Sequence, residues 1–180
     1  MPLVFDTNAL LRPAFSSGAF TATKWDSAEV KAEFANKLCR FMAADFKESL
    51  FTKVLYRRLS LCFGHIGHYN SLGFFEHFFH DLQGKVAFFE ETLLWRPCGD
   101  PTYTYCDVER AVQTRLRACN LLAAYWALRA AELEGAEREM LRRLQAKYAD
   151  ATKTAETPVI LARQLPRQER PAPTDQQNLF

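Results

Sequence analysis

From Val30 onward, apolar residues recur at helical spacing. Val30, Phe34, Leu38, Phe41, Met42 and Phe46 form one face of a helix that opens at WDSAEV and runs to about residue 48. Asp26 or Ser27 can accept from an orphan amide at its start, and Glu29, three after Asp26, completes a capping-box pattern. A second helix fits FTKVLYRRLSLCFGHIGHY, with Val54, Leu55, Leu59, Cys62, Phe63 and Ile66 inward. A break at Asn70–Gly73 precedes a short third helix over GFFEHFFHDL, stopped near Gly84. A fourth helix spans VAFFEETLLW and ends at Pro97. With two prolines and a glycine, RPCGDPTYTY reads as a loop.

The longest pattern begins at Asp107, read as an N-cap, and reaches about residue 151 without a proline. Val112, Leu116, Cys119, Ala123, Trp126, Ala130, Leu133, Met140 and Leu144 alternate steps of four and three, interrupted only at Glu137. That repeat predicts a long helix or helical hairpin whose seam lies against the first helix or against a second copy of the chain. Gly135 is the expected place for a kink or a split. Residues 1–25, with Pro2, Pro13 and SSGAFTAT, read as an irregular arm laying Leu3, Val4, Phe5, Leu10 and Leu11 over the core. From about 152 the chain turns polar and holds four prolines, the composition of a disordered tail. The expected organisation is an N-terminal arm over 1–25, a helical domain over 26–151 and a tail over 152–180. The predicted fold is an all-α, irregular bundle of about five helices.

Composition sharpens this picture. Fifteen Phe and only seven Gly in 180 residues suit helices joined by short connections. Lys+Arg 23 against Asp+Glu 21 leaves a net charge of +2, so direct nucleic-acid binding through backbone electrostatics is not indicated. The arginine doublets, Arg57 with Arg58, Arg115 with Arg117 and Arg142 with Arg143, read as solvated helix faces. Five scattered cysteines without a CxxC pair point to a reducing cytoplasm. No signal peptide is evident, and no run of about 18 apolar residues predicts a membrane span.

All four histidines lie in HIGHYNSLGFFEHFFHDLQGK. His65 and His68 are three apart, as are His77 and His80, so each pair could supply two corners of a divalent-metal site. The competing reading packs the imidazoles among Phe and Tyr, with no cofactor. Within this stretch FFHDLQGK resembles the His-Asp step of the HD-type metal phosphohydrolases. That resemblance implies catalysis at His80 and Asp81, with His65 or His68 upstream and Asp100 or Asp107 as a last ligand. LVFDTNALL resembles the opening strand of PIN-type ribonucleases, with Asp6 in the metal-holding place. No alternation of strands and helices follows it, and Asp6 and Asn8 read instead as turn-makers.

The chain ends in QQNLF. Gln176, two tolerant positions, then Leu179 and Phe180 resemble the peptide by which bacterial polymerases, repair proteins and some mobile-element proteins bind the DNA sliding clamp. Two apolar side chains would fill a preformed pocket while the glutamine amide fixes register. The resemblance implies a non-enzymatic, cytoplasmic interaction protein, such as an inhibitory accessory of a phage or mobile element. A second protein would then engage the helical body.

Overall fold

The computed structural model describes residues 4–64 and 70–154. It is all-helical, as expected: α1 (Thr7–Leu11), α2 (Ala28–Ala43), α3 (Lys53–Cys62), α4 (Ser71–Phe79), α5 (Leu82–Leu94), α6 (Cys106–Ala118) and α7 (Leu121–Thr154). Single 3-10 turns lie at Ser17–Ala19 and Glu48–Leu50, and no strand occurs among the described residues. The chain divides into two units, residues 1–137 and 138–180; the core belongs to the first. The segment with His65, Ile66 and His68 lies outside the described residues, as do residues 155–180 with Gln176, Leu179 and Phe180.

Ser27 opens α2, its hydroxyl accepting from the Val30 amide at 3.4 Å. Phe34, Ala35, Leu38, Phe41 and Met42 are buried along one face. Phe46 belongs to the same core although the helix ends at Ala43. Asp45 and Phe46 both take left-handed backbone angles, φ 53° and 57°, and the Phe46 amide returns to the Phe41 carbonyl at 2.9 Å. For L-residues that conformation costs about 1–2 kcal/mol each. The offset is the Phe46 ring, which stacks on Phe79 at 4.6 Å and meets Phe41 and Phe88 edge-on at 5.2 and 5.9 Å.

Asn70 caps α4 by accepting from the Gly73 amide at 2.7 Å, and Asp81 caps α5 by accepting from Gly84 at 2.7 Å. Gly84 therefore does not stop a helix; it sits in the first turn of α5. There a Cβ would lie 2.4 Å from the His77 carbonyl oxygen, so only glycine lets α5 approach α4 this closely.

The long helix expected from 107 is two helices. Asn120, with φ 56°, turns the chain between α6 and α7. Asparagine tolerates this region, so no Gly or Pro is needed. Gly135 lies inside α7 without ending it. Val112, Leu116 and Cys119 are buried, and α6 packs on α2. Beyond the turn Ala123, Leu133, Met140 and Leu144 are exposed, and Trp126 is 48% exposed with its Nε1 donating to Glu90 at 2.9 Å. The seam is thus buried only along α6.

Residues 4–25 are more than an overlay. Asp6 caps α1 by accepting from Ala9 at 2.9 Å, while its own amide donates to the Cys119 carbonyl at 3.2 Å. Leu10 is fully buried, Phe5 and Leu11 pack partly against the core, and Val4 is exposed. Arg115, far from being solvated, donates to the Leu10 carbonyl at 3.1 Å and to that of Pro13, and lies over the Phe15 ring at 3.4 Å. Asn36 pairs with both backbone groups of Phe15 at 2.9 Å.

Candidate interaction face

Two polar centres fix α2, α3 and the 96–105 loop against α6. In the first, Lys31 of α2 is completely buried. Its ammonium donates to the carbonyls of Pro101 and Thr104 at 2.8 and 2.9 Å and to the Asp107 carboxylate at 3.0 Å. Three protons meet three acceptors, the condition under which a buried ammonium is tolerated. Asp107 also accepts from the Thr21 and Val108 amides, each at 2.9 Å. It is therefore the counter-ion of Lys31 within α6, and the N-cap position falls to Tyr105.

In the second, Arg58 of α3 pairs with Asp26 at 3.0 Å, and the Tyr105 hydroxyl, which accepts from Arg58, donates to the same carboxylate at 2.8 Å. Burial and this bond to Asp26 push the Tyr105 phenol well above its ordinary range. Asp26, expected as a possible cap, serves here instead. The 23–26 turn closes on itself, with Thr23 Oγ1 accepting from Trp25 and Asp26 at 3.1 and 2.8 Å. The Lys24 amide ties it to the Thr102 carbonyl of the neighbouring loop at 3.1 Å.

These anchors hold large apolar side chains outward. α3 buries Leu55, Leu59 and Cys62, whereas Val54 and Leu61, two turns apart, face out; Leu61 is 62% exposed. Trp25 and Tyr103 are 71% and 63% exposed on the two tied loops. Trp25, Asp26, Leu61, Tyr103 and Tyr105 line one cavity of about 250 Å³. A small one beside it takes in Val54, Arg58, Glu33 and Lys37, and a third of about 350 Å³ takes in Lys37, Arg40, Leu50 and Leu55. The second and third share Lys37 and Leu55 and form a groove between α2 and α3, and the Asp26–Arg58 pair joins the first cavity to its end. Sequence periodicity had placed Val54 inward. The available signal was its spacing: Val54 and Leu61 lie seven apart, off the Leu55–Leu59–Cys62 stripe.

The residues expected to carry chemistry are spread out. His77 and His80 are exposed at the end of α4, His77 with its ring edge-on to Phe78 at 4.6 Å. Asp81 caps α5, Asp6 caps α1, and Asp107 is held by Lys31. Asp100 accepts from the Thr102 amide and hydroxyl at 2.8 and 2.7 Å, contacts that hold its carboxyl below the usual range. Among the described residues no three His, Cys, Asp or Glu side chains converge to hold a metal ion. Neither Cys39 nor Cys62 is an activated thiol: burial pushes Cys39 up to about 11 and Cys62 well above its ordinary value. Among the described residues no helix is long and apolar enough to cross a membrane.

Comparison with family models, with curated proteins and with solved structures finds no match to this chain.

Proposed function

We propose that this chain is a non-enzymatic binding protein. Its helical body docks one protein partner on the α2–α3 face, and its C-terminal Gln176, Leu179 and Phe180 engage the DNA sliding clamp. The observation that carries the first half is the exposure of Trp25, Leu61 and Tyr103 around one cavity, with Val54 exposed beside the next. Tryptophan and tyrosine are the residue types that dominate binding energy in interfaces, and here tied backbone presents them at low ordering cost. The second half rests on the QQNLF resemblance. Five unpaired thiols suit the reducing cytoplasm in which such a protein would act.

The tail is tested with purified clamp and a synthetic PTDQQNLF peptide. Two apolar anchors at about 1.5–3 kcal/mol each, less the cost of ordering, correspond to micromolar binding. Changing Leu179 and Phe180 together to Ala, or Gln176 to Ala, should abolish capture of the clamp and leave the helical melt unchanged. Failure of the peptide to displace a known clamp ligand at hundreds of micromolar (order of magnitude) removes the clamp from the proposal.

A further inference from the structure

The groove between α2 and α3 has a charge bias that its apolar residues alone do not explain. Both of its acids are already neutralised within the chain, Glu33 by Lys37 at 2.6 Å and Asp26 by Arg58 at 3.0 Å. Two cations of α3 have no carboxylate among the described residues, while Arg40 of α2 shares the Glu33 carboxylate with Lys37. Lys53 and Arg57 are exposed on α3, one to either side of Val54 along the chain, and Arg40 is exposed on α2, its Nε donating to the Asn36 carbonyl of its own helix at 3.3 Å. An occupant that covers Val54 and Leu61 must approach the uncompensated Lys53 and Arg57. A basic segment would be repelled, and a neutral one would leave them desolvated without partners.

Spacing sets the form of the occupant. Val54 and Leu61 are seven residues apart on one helix, about 10 Å at 1.5 Å per residue. A second helix presents its own anchors at i, i+3 or i+4 and i+7 with the same repeat, so ridges of the two can interleave along the groove. The cavity under Trp25 and Tyr103 accepts one large apolar side chain at one end, and the cavity beside Leu50 accepts another. We infer that the α2–α3 groove binds a short amphipathic helix of a partner protein, with apolar anchors on one face and acidic residues flanking them. This rests on the reading of the body as a docking module and adds the partner's chemistry.

The test uses the full chain and three fluorescein-labelled 16-residue helices with identical leucine anchors, whose flanking positions are glutamate, glutamine or lysine. Anisotropy titrations at low salt should give binding of the glutamate helix at least tenfold tighter than the glutamine helix, and none of the lysine helix. The K53E/R57E double variant should erase that preference, and Leu61→Ser should weaken the glutamate helix at least tenfold. These positions are exposed, and an unchanged thermal melt confirms that each variant is folded. If the three helices bind alike and Leu61→Ser weakens them all, docking stands and the acidic assignment falls. If none binds, or if Leu61→Ser changes nothing, the groove is not a docking site and both readings of the body fall.

Discussion

In α6 and α7 apolar residues recur in the same alternation of fours and threes, yet the two helices use it differently. Along α6 the pattern is a core: Val112, Leu116 and the following Cys119 are buried. Along α7 Leu133, Met140 and Leu144 continue it and are exposed. The repeat is a statement about which side chains share a helix face. It carries no information about whether the same chain supplies a surface to cover that face. For α6 the cover is α2, α3 and the 4–25 segment, all recruited by polar contacts that periodicity does not register. Asp107 reaches Lys31, Arg115 reaches the Leu10 and Pro13 carbonyls, and the Cys119 carbonyl takes the Asp6 amide.

The largest break in this comparison comes from removing what recruits the cover. Lys31→Met strips the ammonium from Asp107 and from two carbonyls at once, leaving a carboxylate without its cation. Loss of one partner from a buried pair costs about 3–5 kcal/mol. Urea melts should show that loss, with a near-wild-type slope if folding stays cooperative. A change below about 1 kcal/mol would mean that Lys31 is solvated and that the loop, not the ion pair, positions α6.

Paired truncations on the two helices sharpen the contrast directly. Leu116→Ala removes a fully packed side chain and should cost about 2–5 kcal/mol. Leu133→Ala, an exposed leucine further along the same repeat, should stay within about 0.5 kcal/mol. Trp126 falls between them: half-exposed and bonded to Glu90, it should lose about 1–2 kcal/mol on change to Ala, well short of a core ring. Equal costs at 116 and 133, independent of protein concentration, would refute the distinction. A Leu133 cost that grows with protein concentration would instead reveal a second copy on the exposed stripe.

Much of the fold could be read from residue pattern. The all-α class, the start and inner face of α2, the core of α3 at Leu55, Leu59 and Cys62, and the 96–105 loop all follow from spacing and turn residues, whereas α2 ends at Ala43 rather than near residue 48. Less legible were features whose cause lies far along the chain. Lys31 sits among apolar neighbours like a misplaced charge, and its explanation is 76 positions away at Asp107. Phe46 continues the α2 period only because a left-handed turn past the helix end returns its ring to the core. The α6–α7 turn has no Gly or Pro to announce it, only Asn120, a residue as common inside loops as at bends. The candidate face was hidden for a related reason: Val54 and Leu55 are adjacent apolar residues, and a one-dimensional pattern does not say which of them turns inward.

The smallest expected effect concerns charge on the buried helix. Glu109 of α6 is partly buried and close to Asp107, and burial first, with that carboxylate second, raises its carboxyl from 4.5 to about 7. Between those two values the unfolded chain has already released the proton that the folded chain retains. The unfolded state then binds fewer protons, so stability falls as pH rises from 4.5 toward 7 and levels off once both states are ionised. Because Glu109 is only partly buried, solvent screening reduces the effect to about 1 kcal/mol. Glu109→Gln, neutral at every pH, should match the wild type near pH 5 and exceed it by about that amount at pH 8. Urea melts at the two pH values measure the difference. A gain of the same size at both would assign the effect to packing rather than ionisation, and no gain at either would mean that the Glu109 carboxylate is as well solvated in the folded chain as in the unfolded one.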